Sequence, residues 1–105
     1  MSKKKASVSA YAAVKDENTV GNIVVSLAGR DAGRVFVTVG RADTDTVLLA
    51  DGKVHTVSDP KKKKIKHLTI IGRATDAEIS ALMSETVQDS FLRRLVRRYT
   101  AERLN

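Results

Sequence analysis

The fold is decided by residues 21–39, which read GNIVVSLAGRDAGRVFVTV. Two short runs rich in valine and isoleucine, residues 22–27 and 34–40, flank a polar turn that contains Gly29 and Gly33. β-Branched runs bounded by glycine and aspartate are typical of strands. Glycine in such a turn accepts a left-handed backbone or lets another group approach closely. The stretch therefore predicts two strands joined by a glycine-punctuated loop.

Three further runs of the same kind follow, and they predict strands at residues 46–50, 53–57 and about 65–71. The dipeptide Asp51-Gly52 is favourable in two-residue turns, so we expect a tight hairpin between the first two of these strands. Five short antiparallel strands in about fifty residues indicate a small barrel, because a sheet that closes on itself exposes few edges.

The apolar residues change to a helical spacing in the last third of the chain. Two capping-box patterns, at residues 75–78 and 86–89, precede these apolar residues. They predict a first helix that begins near Asp76, a break near residues 84–86, and a second helix that runs to about Arg103.

The chain thus divides into three expected segments. Residues 1–19 are small, polar and basic at the tip, which predicts a flexible arm. Residues 20–72 are expected to form the five-stranded barrel, and residues 73–105 a helical extension of one or two α-helices. The expected fold class is mainly β with C-terminal helices.

The positive charge of the chain is concentrated in one segment. The formal net charge is +7, and residues 60–74 hold six basic residues and no acidic residue. A basic excess this local is typical of a surface that binds a polyanion, most often nucleic acid. The alternative interpretation is a solvated basic segment that only keeps the protein soluble.

Arginine and lysine contribute differently to such a surface. The planar arginine guanidinium pairs with two phosphate oxygens or stacks on an unstacked base, whereas lysine acts as a mobile point charge. Instead of contacting a phosphate, Arg30 could form an ion pair with Asp31 or a neighbouring acid; this is the alternative interpretation of that residue. The residues predicted to contact nucleic acid are Arg30, Arg34, Lys61, Lys62, Lys63, Lys64, Lys66, His67 and Arg73. A candidate second contact, with RNA or with a protein partner, consists of Lys3, Lys4, Lys5, Arg93, Arg94, Arg97 and Arg98.

The aromatic residues are too few for a protein that stacks successive bases. The chain has two phenylalanines, two tyrosines and no tryptophan, and Phe36 is expected in the core. Proteins that bind single strands stack bases on several surface aromatics. A structured nucleic acid, held through its phosphates, is therefore the expected ligand.

The sequence predicts neither an enzyme nor a metal site. It has no cysteine, and its two histidines, His55 and His67, lack the spacing of zinc ligands. Asp51, His55 and Ser58 lie on one predicted hairpin and lack the supported geometry of a catalytic triad. We therefore expect no catalytic residue, no cofactor and no small-molecule substrate. The absence of cysteines and of a long apolar run predicts a cytoplasmic protein without membrane contact.

Three strings together resemble a known family. Residues 21–39, VLLADG at 47–52 and PKKKKIKHL at 60–68 resemble a KOW-motif RNA-binding protein of the ribosomal protein L-fourteen-e type. The shared marks are the opening Gly21-x-x-Val24, the AGRDAG loop, the alternating strand after it, and the basic run. The resemblance implies an SH3-like barrel that binds large-subunit ribosomal RNA.

The ends of the chain show where the resemblance stops. The resemblance covers about residues 21–68, and its LLADG and KKKK strings match those of bacterial members. ATDAEISALMSET at residues 74–86 is similar to the helical extension of archaeal and eukaryotic members. Residues 1–19 depart from members that begin near the first strand, so the role of the arm stays open. The implied partners are ribosomal RNA and neighbouring large-subunit proteins, and the protein is expected to be monomeric off the ribosome.

The sequence leaves two questions of function open. A structural ribosomal protein and a ribosome-associated factor in translation fit the same residues. KOW barrels also occur in transcription and SH3-like barrels also bind peptides, so the alternative is a KOW-type transcription accessory or protein-interaction module. Proline-rich and methyl-lysine ligands require aromatic-lined sites, which the single Phe36 of the barrel segment disfavours.

Overall fold

The computed structural model describes residues 15–104. Within that range lie five strands, β1 (Asn22–Ser26), β2 (Val35–Asp43), β3 (Thr46–Ala50), β4 (Lys61–Lys64) and β5 (Leu68–Arg73), and two helices, α1 (Asp76–Met83) and α2 (Asp89–Leu104). The strands form one antiparallel sheet in the order β4-β3-β2-β1-β5. A 3-10 turn, Ile65–His67, links β4 to β5. The expected five-stranded sheet followed by C-terminal helices is confirmed.

Both faces of the sheet are buried in β1, in β3 and in most of β2, where successive side chains point to opposite sides. On one face Ile23 belongs to a cluster with Leu82 of α1 and Leu92 of α2. On the other face Val24 lies opposite Phe36 across the strands, and both belong to a smaller cluster. Apolar residues therefore occupy consecutive positions in β1 and β2 instead of alternating with polar ones.

Residues 16–19 form a hydrogen-bonded turn ahead of β1. The carbonyl oxygen of Asp16 accepts hydrogen bonds from the N–H of Thr19 (3.1 Å) and of Val20 (2.9 Å), and the Val20 side chain is fully buried. The rest of the expected flexible arm, residues 1–14, lies outside the described residues.

The sheet is not a closed barrel, contrary to the expectation. β4 pairs with β3 and β5 pairs with β1, and no ladder joins β4 to β5 in the described part of the chain. The 3-10 turn takes up residues 65–67, so β5 begins at Leu68 and does not fold back on β4 as a hairpin. Four lysines occupy the β4 edge, and a charged edge strand resists pairing with other sheets.

The predicted strand at residues 53–57 and the two-residue hairpin before it are wrong. The strand that pairs with β3 is β4, with Leu49 opposite Lys61. The intervening segment is a loop because the Asp51 carboxylate accepts hydrogen bonds from the backbone N–H of residues 53, 54 and 55 at 2.9–3.0 Å. Those donors are then unavailable to a strand ladder.

The start of α1 is the one that the capping-box pattern predicts. Thr75 Oγ1 accepts a hydrogen bond from the N–H of Glu78 at 3.2 Å, and the Glu78 carboxylate accepts one from the N–H of Thr75 at 2.9 Å. Each bond satisfies a backbone donor that a helix start would otherwise leave free.

The second capping box, at residues 86–89, is wrong because its two side chains bond elsewhere. Thr86 Oγ1 lies 2.8 Å from Ser84 Oγ, and Asp89 Oδ1 accepts a hydrogen bond from the N–H of Val57 at 2.8 Å. The second helix consequently begins at Asp89. Neither described helix has the length and apolar character needed to cross a membrane.

Candidate nucleic-acid interface

The four lysines of β4 point alternately to the two faces of the sheet, because they lie in a strand. Lys61 and Lys63 are partly buried, whereas Lys62 and Lys64 are exposed. The basic run is therefore not one continuous surface, and its ammonium groups have different surroundings.

The AGRDAG loop, residues 28–33, packs along β4 and holds the two partly buried lysines. Lys63 Nζ donates a hydrogen bond to the carbonyl oxygen of Ala28 at 2.8 Å, and Lys61 Nζ lies 3.0 Å from Asp31 Oδ2. The φ of Gly29 is +81°, and a Cβ there would lie 3.1 Å from Lys63 Nζ, so glycine suits this turn on both counts. The loop therefore packs on the face of β4 that carries Lys61 and Lys63, whereas Lys62 and Lys64 point to the other face.

Asp31 is the centre of a buried ionic cluster. Its side chain is 9% exposed, and Oδ2 lies 3.0 Å from both Lys61 Nζ and His55 Nε2. The hydrogen bond from Lys61 is the main cause that lowers the pKa of Asp31; burial opposes the shift and the hydrogen bond from His55 supports it. An ionised Asp31 thus fixes the loop against β4.

Arg34 makes long contacts with two carboxylates. Its Nε lies 4.0 Å from Asp31 Oδ1 and its Nη2 lies 3.9 Å from Asp51 Oδ2, while the arginine side chain is 46% exposed. Contacts this long, made by a half-exposed cation, contribute little to stability. Arg34 therefore remains able to pair with an external phosphate.

Three predicted contact residues are exposed and have no ion pair with another described side chain: Arg30 in the loop, Lys62 on β4 and Lys66 in the 3-10 turn. Lys63 bonds a neutral carbonyl group, so its charge is also uncompensated. Arg30 sits between Ala28 and Asp31, the two loop residues that bond to lysines of β4. These four cations are the part of the predicted set that is best placed to meet phosphates.

The remaining residues near β4 are partly engaged. His67 is partly buried, and its carbonyl oxygen accepts a hydrogen bond from the N–H of Leu27 at 2.8 Å, which fixes the 3-10 turn beside the start of the loop. Lys64 Nζ lies 3.1 Å from Asp45 Oδ2, a pair in which both side chains are more than half exposed. That lysine is balanced by an acid in the free protein.

Arg73 lies away from this surface. Its guanidinium donates hydrogen bonds to the carbonyl oxygens of Glu17 and Val20 and to Asn22 Oδ1. Strand geometry places it roughly 16 Å beyond Leu68, at the far end of β5. The structure does not bring Arg73 together with the lysines; Arg73 instead ties the segment before β1 to β5.

Two of the four α2 arginines that were candidates for the second contact bond to other parts of the protein. Arg93 Nη1 donates a hydrogen bond to the carbonyl oxygen of Gly52 at 2.7 Å. Arg98 donates two hydrogen bonds to the Glu78 carboxylate, both at 3.0 Å, and these bonds are the main cause that lowers the pKa of Glu78. Their contacts tie α2 to the loop before β4 and to α1.

The other two arginines of α2 face solvent. Arg94 and Arg97 are exposed and form no ion pair with another described side chain, and the Arg94 guanidinium lies 5.7 Å from the centroid of the Phe91 ring. Lys3, Lys4 and Lys5, which belong to the same predicted second contact, lie outside the described residues. The described part of the chain holds no group of three or more side chains able to bind a metal.

Sequence reasoning missed the acidic residues that organise the surface. The sequence predicts Asp31 only as a partner of Arg30, yet its carboxylate faces Lys61 and His55. It predicts a hairpin turn at Asp51, yet the Asp51 carboxylate holds a ten-residue loop. An acid inside an otherwise basic, glycine-rich loop is the signal that points to Asp31.

No protein-family model matches the chain, and no curated protein matches it in sequence. The fold and the site together define a small domain with an open antiparallel sheet, two packed helices, and a basic surface built from a glycine-rich loop and an edge strand.

Proposed function

We propose that this protein is a KOW-type RNA-binding protein of the ribosome that docks on structured large-subunit ribosomal RNA through phosphate contacts. The observation that carries the proposal is the packing of the AGRDAG loop on β4, through Lys61 and Lys63. This packing places the loop that carries Arg30 along the lysine strand. Glycines in the loop let backbone N–H groups approach a phosphate closely.

An SH3-like barrel is the finer form of the fold that we propose. The edge strands β4 and β5 are consecutive in the chain and are linked by one short 3-10 turn. Because this link is short, the end of β4 and the start of β5 lie close together. Their closeness supports an SH3-like barrel that stays open between these two strands.

The aromatic residues support structured RNA over single strands or peptides. Phe36, the one aromatic side chain of the sheet, is fully buried, so it offers no stacking platform. A groove for proline-rich peptides would need exposed aromatic walls. Phosphate contact with the outside of a folded RNA needs only the cations.

The charge pattern sets the expected salt dependence. Four uncompensated cations near the loop and β4 correspond to about four phosphate contacts. At a slope of about 0.7–0.9 per contact, the affinity should fall roughly 50- to 150-fold between 50 and 200 mM salt. Lys61 and Lys64 contribute less, because carboxylates already neutralise them.

The proposal is tested with the triple variant Arg30→Gln, Lys62→Gln, Lys66→Gln. Its affinity for large-subunit ribosomal RNA transcribed in vitro is expected to fall roughly a hundredfold near 0.1 M salt, because three phosphate contacts are lost. The slope of log affinity against log salt should become shallower by about 2–3. Filter binding across a salt series measures both quantities, and thermal unfolding checks that the variant is folded.

A matched control removes the same charge from cations that are already bonded. Lys15→Gln, Lys64→Gln, Arg98→Gln deletes one hydrogen bond to the Leu82 carbonyl oxygen and two ion pairs. Its RNA affinity is expected to change much less than that of the first variant. Equal losses in both variants would mean that net charge alone governs binding, and no loss in the first would remove the proposal.

Sedimentation of the tagged protein in lysate gradients at low and high salt distinguishes the classes of function. Salt-resistant, near-stoichiometric signal in the large subunit is expected for a structural ribosomal protein. Salt-labile signal on precursor particles would indicate an assembly or regulatory factor. Signal only at the top of both gradients would contradict the ribosomal proposal and favour a transcription accessory or protein-interaction module.

A further inference from the structure

A shallow cleft of about 350 Å³ lies where the end of α1, the connecting segment and the first turns of α2 meet. This volume is at the lower end of the range for small-ligand sites, about 300–1,000 Å³. Besides two small apolar side chains, the cleft is lined by Ser84, Thr86, Gln88, Ser90, Phe91 and Arg94. It therefore combines three hydroxyls, an amide, an aromatic ring and a guanidinium.

Hydrogen bonds hold the walls of the cleft in place. Ser84 Oγ lies 2.8 Å from Thr86 Oγ1 and accepts a hydrogen bond from the N–H of Thr86 at 3.1 Å. Arg93 and Asp89 fasten the first turns of α2 to the loop that leads into β4. These bonds fix the position of the cleft relative to the loop before β4.

The chemistry of the cleft suits a planar, negatively charged ligand. The Arg94 guanidinium lies 5.7 Å from the centroid of the partly exposed Phe91 ring, and Arg94 is the one charged residue of the lining. Glu85 and Asp89, the acidic residues that lie between lining residues in the sequence, do not line the cleft. Aromatic rings and guanidinium planes are the groups on which proteins stack unstacked bases, and hydroxyls and amides bond base edges.

We propose that the cleft binds a single unstacked nucleotide, with the base against Phe91, the phosphate on Arg94 and the base edge on the hydroxyls and the Gln88 amide. The nucleotide is either free or part of an RNA bound at β4, and the second case rests on the proposed function. In that case the cleft supplies the base recognition that phosphate contacts lack.

The first test is an NMR titration of the full-length, ¹⁵N-labelled protein. The ligands are the four ribonucleoside 5′-monophosphates, with ribose 5-phosphate and inorganic phosphate as probes that lack a base. Shifts confined to residues 81–94 that saturate at about millimolar concentration are expected only with the nucleotides. Absence of shifts, or equal shifts with inorganic phosphate, would overturn the inference.

Three variants test, in the same titration, whether the nucleotide binds in the cleft. Phe91→Leu keeps an apolar side chain but removes the ring, and Arg94→Gln removes the charge of an exposed residue without risk to the core. Each is expected to weaken nucleotide binding at least about fivefold. Lys53→Gln, at an exposed lysine outside the lining, is expected to bind as the wild type does. Equal affinity in all three variants would place the nucleotide elsewhere.

RNA binding separates the two sources of the nucleotide. If RNA fills the cleft, Phe91→Leu and Arg94→Gln should weaken binding to RNA with an unpaired bulge more than to a fully paired duplex. Equal effects on both RNAs would restrict the cleft to free nucleotides.

The triple variant at Arg30, Lys62 and Lys66 distinguishes this inference from the proposed function. It is expected to lose RNA affinity and to bind mononucleotides normally. Loss of mononucleotide binding in that variant would overturn the inference, because the ligand would then lie at the lysine strand. A wild-type protein that binds mononucleotides in the cleft but no RNA would refute the proposed function alone.

Discussion

Replacement of Gly52 by alanine is expected to lower the free energy of unfolding by about 2–5 kcal/mol. Gly52 has φ +78°, where an L side chain is strained, and its new Cβ would overlap the carbonyl oxygen of Asp89 and lie 3.1 Å from the N–H nitrogen of Arg93. Both are backbone atoms of the first turn of α2. They cannot give way unless the loop before β4 separates from the helix, which would also break the hydrogen bond from Arg93 to the Gly52 carbonyl oxygen.

Gly33→Ala is the matched control for this substitution. Gly33 also has a positive φ, +88°, but no atom lies within 4 Å of its new Cβ. The two variants share the backbone strain and the effect of alanine on the unfolded chain, so Gly33→Ala is expected to cost only about 1–2 kcal/mol. Urea unfolding of both proteins measures the difference. Equal losses of stability in the two variants would show that the backbone of α2 does not crowd position 52.

The strands that the sequence predicted correctly are those whose pattern reports local burial. The valine-rich runs of β1 and β2 are apolar at consecutive positions because both faces of the sheet are covered. β4 was not predictable from its composition, since lysine is unfavourable in strands; KKKK is extended because the free edge of β3 pairs with it. VHTV at residues 54–57 has the composition of a strand, yet the Asp51 carboxylate takes its backbone donors.

The sequence predicts where the candidate site lies, but not which of its lysines are paired with carboxylates. The charge count located the lysine run, and the glycines located the loop. Which lysines remain free depends on where carboxylates from other loops come to lie after folding. Asp31 reaches Lys61 and Asp45 reaches Lys64, and no local pattern around residues 61–64 encodes either contact.

Asp31→Asn is expected to lower the free energy of unfolding at neutral pH by about 1.5–3 kcal/mol, the usual range for a lost hydrogen bond to a charged group. The change keeps the shape of the side chain but removes the charge that Lys61 and His55 face at 3.0 Å. The loop that carries Arg30 would then be held to β4 chiefly by the hydrogen bond from Lys63 to Ala28. Urea unfolding at neutral pH measures the loss directly.

The effect of Asp31→Asn has a definite dependence on pH. The pKa of Asp31 in the folded protein is below the ordinary value of 3.8, chiefly because of the hydrogen bond from Lys61, so the unfolded chain takes up the proton first as the pH falls. The contribution of the carboxylate is fully present above the ordinary value and is lost as the pH falls through the folded-state pKa. The stability difference between wild type and variant should therefore shrink below about pH 4.

Asp45→Asn is the control that isolates burial as the cause. The two carboxylates face lysines of the same strand at nearly the same distance, 3.0 Å for Asp31 and 3.1 Å for Asp45, but their side chains are 9% and 61% exposed. An exposed ion pair contributes little because water solvates both charges when it breaks. Asp45→Asn should thus leave stability nearly unchanged at neutral pH. If the two variants lose equal stability, or if Asp31→Asn unfolds like the wild type, the buried cluster is not what fixes the loop on the lysine strand.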